Sequence, residues 1–549
     1  MSAYRQGQTI YLFDSTGQPR GMLGLDGREW AFPAAMLATS SAAQLVGDLV
    51  ALFDPVTFAP VGYLGRDGQE YGFPTALTLN TTVGWKMGLA AELFTAAGAP
   101  AGLYSPSTWE WPTALVANGG GGGGLSLPQL GALVAKFSAD AITPQADNTN
   151  LVTWTDSING AAATQATGGL QPKYRTNRMG GLPSVQFPGT AVLSAGRPTA
   201  LMAALDQITS NTYMVVYKTL GAANSNAMLM AAADGNGGGI MVVGDGAKVG
   251  MYAQNVPSTG GTFMSVAQSS TNSVAGGGTV CYRTAVNGCV VNPTQNETPT
   301  SSTFNFQIGG ITGKSFFANA DIYEIWVWSV ALTPVELLQA HAYACSKYSQ
   351  PVPWLSVPYF LVCDGDSITM GSGAAGSGSY PYQLAAAMGL SYGQWTNVGV
   401  GGITSGYMNT KAPTDLAGIP AVTGKPMRIC AFEYYNQKAN SAASIESAFQ
   451  AYAARVRAYA NTKLVWGTST SSGSDPDSTR ASYDTWCDSN AASYCDAYVA
   501  LHNETHIGVS GSFAANFGTG LNLFFNDPHP NAAGNAFLFP PFQTALGTF

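Results

Sequence analysis

The sequence predicts a multidomain chain: β-hairpin repeats at the N-terminus, a β-sandwich in the middle and a doubly wound α/β domain at the C-terminus. Three observations carry this reading. A pattern recurs with a period of about 40 residues in the first part of the chain. Short β-type runs alternate with Gly/Asn turns from Leu127 to Tyr348, and beyond Tyr359 an apolar run is followed by alternating helical and strand patterns. With 549 residues the chain exceeds what one core holds, and its 10% of charged residues and 66 glycines suit turn-rich β modules more than helical bundles.

The repeats come first. "YLFDSTGQPRGMLGLDGREWAFP" (Tyr11 to Pro33), "ALFDPVTFAPVGYLGRDGQEYGFP" (Ala51 to Pro74) and "ELFTAAGAPAGLYSPSTWEWP" (Glu92 to Pro112) align with Phe13, Phe53 and Phe94 in register, and with Gly21, Gly62 and Gly102 in register. Each unit reads as a short strand, a Gly/Pro turn, a second strand and an aromatic-Pro stop. A lone hairpin is marginal in water, so the three are expected to stack on each other or on neighbouring chains. Their aromatics are assigned to packing ahead of a sugar-binding face. This attachment or assembly region spans residues 1–118. Six glycines in "NGGGGGGL" (Asn118 to Leu125) then mark a boundary, either a flexible joint or a close approach of chains, and residues 119–125 are taken as a linker.

The next region, 126–350, holds the runs "YMVVYK" (Tyr213 to Lys218), "GIMVVG" (Gly239 to Gly244), "FNFQIGG" (Phe304 to Gly310) and "DIYEIWVWS" (Asp321 to Ser329), the spacing of a sandwich. "LVAKFSADAI", "VTWTDSING", "QPKY", "GGLPSVQFPG" and "ADIYEIWVWSVALTPVELLQAHAYACSKY" together resemble the laminin-G or concanavalin-like lectin sandwich found beside carbohydrate enzymes. The resemblance implies glycan binding, in some relatives through calcium. No calcium loop is indicated: Asp140, Asp147, Asp156 and Asp245 are scattered and read as turn residues. Trp154, Trp326 and Trp328 read as sheet core or interface before sugar platform. "PVPWLSVP" (Pro351 to Pro358) reads as a stiff linker at 351–358, because closely spaced prolines favour extended backbone.

Charge and composition exclude some partners. Twenty-three basic against 31 acidic residues give a net charge of -8, and no Lys/Arg run could follow a phosphate backbone, so no nucleic acid is expected. The opening "MSAYRQGQTIYLF" lacks the pattern of a secretion signal. No apolar segment reaches roughly 18 residues, so no membrane insertion is expected. The 7 cysteines form no CxxC. Cys281/Cys289 and Cys487/Cys495 each bracket a short loop, but in a chain without a visible signal they read as buried thiols.

The last domain, 359–549, carries the chemistry. "YFLVCDGDSITMG" opens with an apolar strand, Tyr359 to Cys363, of the kind buried on both faces of a parallel sheet. Helical patterns follow at "YPYQLAAAMGL" and "SIESAFQAYAARVRAYA", with the strand "KLVWGTS" after them. In such a sheet functional groups gather beyond the carboxyl ends of the strands, where Ser367 falls. Ser367 by itself is also a good helix N-cap. Three further blocks change its standing: "NVGVGGIT" (Asn397 to Thr404), a glycine-rich turn able to present a backbone N–H; "FEYYNQ" (Phe432 to Gln437), which supplies a side-chain amide; and "FNDPHPNAAGN" (Phe525 to Asn535), which puts an acid beside a histidine.

In this order the four blocks resemble the SGNH (GDSL) hydrolase family. The resemblance implies that Ser367 is the nucleophile and His529 its general base, with the backbone N–H groups of Ser367 and Gly402 and the Asn436 amide as oxyanion hole. The family places its acid three residues before the histidine; here that position is Asn526, and the acid is Asp527, two before. Asp527 is taken as the orienting acid, with Asn526 as the alternative. The third block departs from Gly-x-Asn-Asp by placing Tyr434 and Gln437 in the flanking positions, so that Tyr434 either narrows the pocket or stacks on a sugar. His341, and His502 and His506 around Glu504, read as structural or polar surface groups, the latter pair lacking the HExxH pattern of a zinc site.

The expected function is a serine esterase removing O-acyl groups, O-acetyl foremost, from a bacterial surface polysaccharide, with no cofactor. Hairpin repeats, a Gly run and low charge fit a virion appendage such as a phage tail spike or fibre, a homotrimer joined to other virion proteins through its N-terminal region. Export as an extracellular bacterial protein is the alternative location. Two other readings stand beside the esterase: an inactive glycan-binding protein, and a general carboxylesterase or lipase.

Overall fold

In a computed structural model, eleven strands are described within residues 1–125, together with residues 127–549 except 206–209, 222–226, 234–238, 245–247, 252–255, 258–262, 272–279, 298–304, 314–315, 375 and 519. The chain divides into two compact units, 1–125 and 126–549. The Gly run at 118–125 and Asp245 fall outside the described residues.

The first unit holds three antiparallel sheets, each a meander rather than a bare hairpin: Ser2–Gln6, Thr9–Phe13, Pro19–Leu23 and Glu29–Ala31; Ala42–Val46, Leu49–Phe53, Pro60–Leu64 and Glu70–Gly72; Val83–Met87, Ala90–Phe94 and Pro100–Tyr104. Phe13, Phe53 and Phe94 pair with Pro19, Pro60 and Pro100, each across a register shift at the same place in the repeat. The sequence reading missed the first strand of each unit, because "SAYRQ" and "AAQLV" show no strict apolar alternation. The overlooked signal is the Gly-X pair that follows each of these strands, Gly7-Gln8, Gly47-Asp48 and Gly88-Leu89, a two-residue hairpin signature.

In the second unit, two antiparallel sheets form the sandwich. One runs in the order Thr149–Asn150, Lys173–Met179, Leu182–Pro188, Asn319–Trp328, Asn211–Thr219, Phe263–Thr271, Val280–Val286, Cys289–Glu297, with Leu133–Ser138 also paired to Asn319–Trp328. The other runs from Thr153–Thr155 through Ala162–Thr164, Leu193–Gly196, Phe306–Ile308, Met228–Ala233, Gly239–Gly244 and Lys248–Met251 to Val256–Pro257. Phe137 of the first sheet meets Phe306 of the second with ring centroids 5.6 Å apart, and Trp154 edge-on at 5.9 Å. Trp154, Trp326 and Trp328 are buried and donate their indole N–H groups to Ser138 O, Glu324 Oε2 and Pro128 O, so they are core and present no ring to solvent. Asp156 accepts the backbone N–H groups of Lys136, Ile158 and Asn159, Asp147 pairs with Arg175, and Asp140 pairs with Lys347. Each carboxylate thus already has a partner: within and beside its own turn for Asp156, in the strand Lys173–Met179 for Asp147, and at the end of the helix Pro334–Lys347 for Asp140.

The α/β layer is a five-stranded parallel sheet of β1 (Phe360–Gly365), β2 (Trp395–Asn397), β3 (Met427–Phe432), β4 (Thr462–Gly467) and β5 (Ala497–Val499), in the order β2-β1-β3-β4-β5. The order reverses beside β1, which makes its carboxyl end a crevice. Of the helices, α1 (Ser367–Met370) follows β1 directly, α2 (Ser405–Asp415) follows β2, and α3 (Ala442–Arg457) precedes β4. β1 does not stop at Cys363 as expected but continues through Asp364, which is fully buried. Burial pushes this acid above the usual carboxylate range, yet Lys411 Nζ at 2.6 Å and the Tyr452 hydroxyl at 2.8 Å satisfy it. A charge neutralised in this way lets a strand run on where sequence pattern alone predicts a stop; left unpaired it would cost about 3–5 kcal/mol.

The sandwich and the α/β layer share one hydrophobic core. Val290 N–H bonds Thr396 Oγ1 of β2, and Arg283 pairs with Asp415 of α2 at 3.3 Å. The segment expected as a spacer is packed between them. Trp354 is buried against the His341 ring, Pro353 O and Ser356 Oγ accept from Gln394 Nε2, and Leu355 O accepts from Lys425 Nζ. His341 itself is enclosed by Ser265 Oγ at 2.9 Å and Cys345 Sγ at 3.3 Å, and burial pushes it down to about 3. Cys289, Cys345, Cys363, Cys430, Cys487 and Cys495 are free buried thiols. Among the described residues no helix is long and apolar enough to cross a membrane.

Candidate active site

Ser367 sits at the turn from β1 into α1, and the turn is built so that its hydroxyl is spare. Capping is done by Asp366, whose Oδ1 accepts the Ile368 N–H at 2.8 Å. Glycine is required just before: a Cβ on Gly365 would lie 2.3 Å from Thr369 Oγ1 and 2.5 Å from Phe432 O. The Asn397 side chain fixes the far side, donating to Thr369 O at 2.7 Å while accepting the Gly399 N–H at 3.0 Å.

The freed hydroxyl meets His529, with Ser367 Oγ and His529 Nε2 2.8 Å apart across 162 residues of sequence. On the other side of the ring, Nδ1 lies 2.5 Å from Asn526 Oδ1. An amide oxygen only accepts, so Nδ1 carries the hydrogen and Nε2 presents a lone pair to the serine O–H, the tautomer a general base needs. The turn is closed by the Phe525 N–H bonding His529 O at 2.9 Å, which folds the residue three before the histidine beneath the ring.

Asp527, expected as the orienting acid, is turned elsewhere. Its Oδ1 accepts the Gly473 N–H at 2.8 Å and its Oδ2 the Tyr435 hydroxyl at 3.4 Å. It acts on His529 through its field alone. Burial lowers the imidazole below the ordinary histidine range, and the Asp527 charge opposes that shift without cancelling it. Asn526→Asp is therefore expected to place a charge against Nδ1, raise the acid limb of the pH–rate profile toward the ordinary histidine range and increase kcat about 10-fold. A pH–rate profile of wild type and variant checks this.

The oxyanion-hole candidates divide. Among the described residues, neither the Ser367 N–H nor the Gly402 N–H donates to any acceptor. Gly402 has φ +74° with open space around its missing Cβ, a left-handed position that glycine adopts at no cost. Asn436, by contrast, spends both amide protons, on Asp366 Oδ2 and on Ile403 O, each at 3.1 Å. It ties the Ser367 turn to the Gly402 turn instead of pointing a free donor at the crevice. Tyr434 is no sugar platform either: it is buried, stacked on Tyr483 at 5.8 Å, with its hydroxyl 2.6 Å from Asp477. Gln437 is buried too, exchanging hydrogen bonds with Ser405 Oγ.

His502 lies 2.9 Å from Thr468 Oγ1 and 3.3 Å from Asp488, beside a cavity of about 250 Å³ lined also by Asp475, Asp477, Arg480 and Asp484; neither Ser367 nor His529 lines it. His506 pairs with Glu504 and stacks on Phe537 at 4.2 Å, so the two imidazoles have separate partners. Among the described residues no group of His, Cys, Asp and Glu is placed to hold a metal ion.

Sequence reasoning overlooked Glu433 and Asp366. Both carboxyl groups are buried beside the Ser367 turn. The available signal was an acid at the end of each of two otherwise apolar strands, "CDGDS" and "AFEYY".

No protein-family model matches the sequence, and no curated protein matches it. Among solved structures the chain is similar to a member of the lipolytic protein G-D-S-L family from Veillonella parvula, with 16% identity over 35% of this chain and 100% of that one and a TM-score of 0.28. It is similar to TesA, with 16% identity over 34% of this chain and 98% of that one and a TM-score of 0.28. It is also similar to an acetyl xylan esterase from Geobacillus stearothermophilus, with 16% identity over 34% of this chain and 94% of that one and a TM-score of 0.28.

Proposed function

We propose that the chain is a serine esterase that removes O-acyl groups, O-acetyl foremost, from a polysaccharide. The observation that carries this is the Ser367–His529 contact, with the hydroxyl released from capping and two uncommitted backbone N–H groups in the adjoining turns. The Ser367 hydroxyl oxygen attacks the ester carbonyl as its proton passes to His529 Nε2. The carbonyl oxygen becomes an oxyanion facing the N–H groups of Ser367 and Gly402. His529 returns the proton to the departing sugar oxygen, leaving an acyl-serine. Water, deprotonated by the same imidazole, then releases the carboxylic acid and restores the serine.

The test is acetate release from a panel of O-acetylated bacterial polysaccharides, with p-nitrophenyl acetate as a small-ester control. Release from at least one glycan at a higher kcat/KM than from the control supports a carbohydrate esterase. Turnover of the control alone favours a general carboxylesterase. The sandwich would hold the glycan, and the repeated meanders would place the chain in a trimeric virion appendage, a phage tail spike or fibre. Light scattering checks the assembly: a strict monomer counts against it.

One observation favours a second reading, a binding protein that has lost turnover: an amide, Asn526, holds Nδ1 where a carboxylate would support the imidazolium. Labelling by a fluorophosphonate separates the two, since a serine that no longer acts as nucleophile does not react.

A further inference from the structure

Glu433 stands just past β3, 1% exposed, and among the described residues no cation pairs with it or with Asp366. Burial, reinforced by the Asp366 charge, raises Glu433 above the usual carboxylate range. A buried acid without a cation is costly, and its bonds show what it accomplishes here. Its Oε1 accepts the Asn436 N–H at 2.9 Å, and its Oε2 accepts the Ser405 N–H at 3.2 Å. Asn436 in turn donates its side-chain amide to Ile403 O and Asp366 Oδ2. The result is a closed clasp: Glu433 grips the turn carrying Asn436 and the start of α2, while Asn436 grips the residue after Gly402 and the residue before Ser367.

We propose that Glu433 is a positioning residue of the oxyanion hole: by bracing Asn436 and Ser405 it sets the separation of the Gly402 and Ser367 N–H groups. The inference rests on the esterase reading above. Donors of this kind act only when they lie about 2.7–3.1 Å from the place the oxyanion will occupy, so loosening the clasp costs transition-state stabilisation and leaves ground-state binding intact.

The experiment compares Glu433→Ala, Glu433→Gln, Asn436→Ala and the double alanine variant on p-nitrophenyl acetate. Glu433→Ala is expected to lower kcat about 100-fold with KM within about threefold of wild type. Glu433→Gln, which keeps the volume and one acceptor oxygen, is expected to recover about 10-fold of that loss. In the Asn436→Ala background, Glu433→Ala should cost less than about threefold more, since both act through one clasp. A Glu433→Ala protein with the wild-type melting midpoint and undiminished kcat overturns the inference, as do additive losses in the double variant. Should the alanine variant fail to fold, Glu433→Gln decides: a lowered kcat at constant KM supports the clasp and a wild-type kcat overturns it. An active wild type with an unaffected Glu433→Ala removes this inference alone. A wild type that neither turns over esters nor reacts with a fluorophosphonate removes the hydrolase reading and the clasp with it.

Discussion

Ser367→Ala is expected to lower ester turnover about 10⁴-fold or more while leaving the melting temperature within a few degrees of wild type. The two halves of this expectation have separate origins. In the proposed reaction turnover depends on Oγ, which would form the bond to the acyl carbon. Stability does not, because the helix cap belongs to Asp366 and the serine hydroxyl bonds the His529 ring nitrogen at the crevice. An alanine at the same φ/ψ removes one hydrogen bond, about 1 kcal/mol. Acetate release and calorimetry on the same preparation check both halves. Undiminished turnover would sink the assignment of the nucleophile.

His529→Ala is expected to lower kcat about 10³–10⁴-fold, because the serine then has no base to take its proton. In the wild type, kcat/KM should rise with pH as the imidazole loses its proton. Because burial lowers its pKa, that rise should be complete at a lower pH than for an ordinary histidine. In His529→Ala the rise should vanish, leaving a slow rate that grows with hydroxide. The comparison distinguishes a general base from a group that merely shapes the crevice, since a shaping residue would shift the level of the profile and keep its acid limb.

What the sequence made legible follows from how locally each feature is encoded. The serine turn, the glycine turn and the histidine turn each lie within a few consecutive residues, and the Ser367–His529 pair that the fold brings to 2.8 Å could be named from such short blocks. The choice between Asn526 and Asp527 was not legible, because both spacings place a side chain near the ring and only the backbone bond from Phe525 to His529 decides which lies beneath Nδ1. Partners distant in sequence were hidden for another reason: Lys411 neutralises Asp364 from 47 residues away, and Ser405 meets Glu433 from 28, with no pattern linking them. By its type Tyr434 suggests a residue that narrows the pocket or stacks on a sugar, whereas stacking on Tyr483 and a bond to Asp477 bury it. The proline-rich stretch before β1 was read from composition, which reports stiffness and says nothing of what packs against it.

That stretch bears on how the chain could be recombined. With Trp354 sunk beside His341, Thr396 of β2 bonded to Val290 and Asp415 paired with Arg283, a cut between residues 350 and 359 is expected not to release an independently folding α/β layer. It would strip an apolar wall from the sheet that carries Ser367 and strand Asp415 without its arginine. On the proposed esterase reading, the smallest portable piece is the sandwich and the α/β layer together, and a graft onto another scaffold has to carry both.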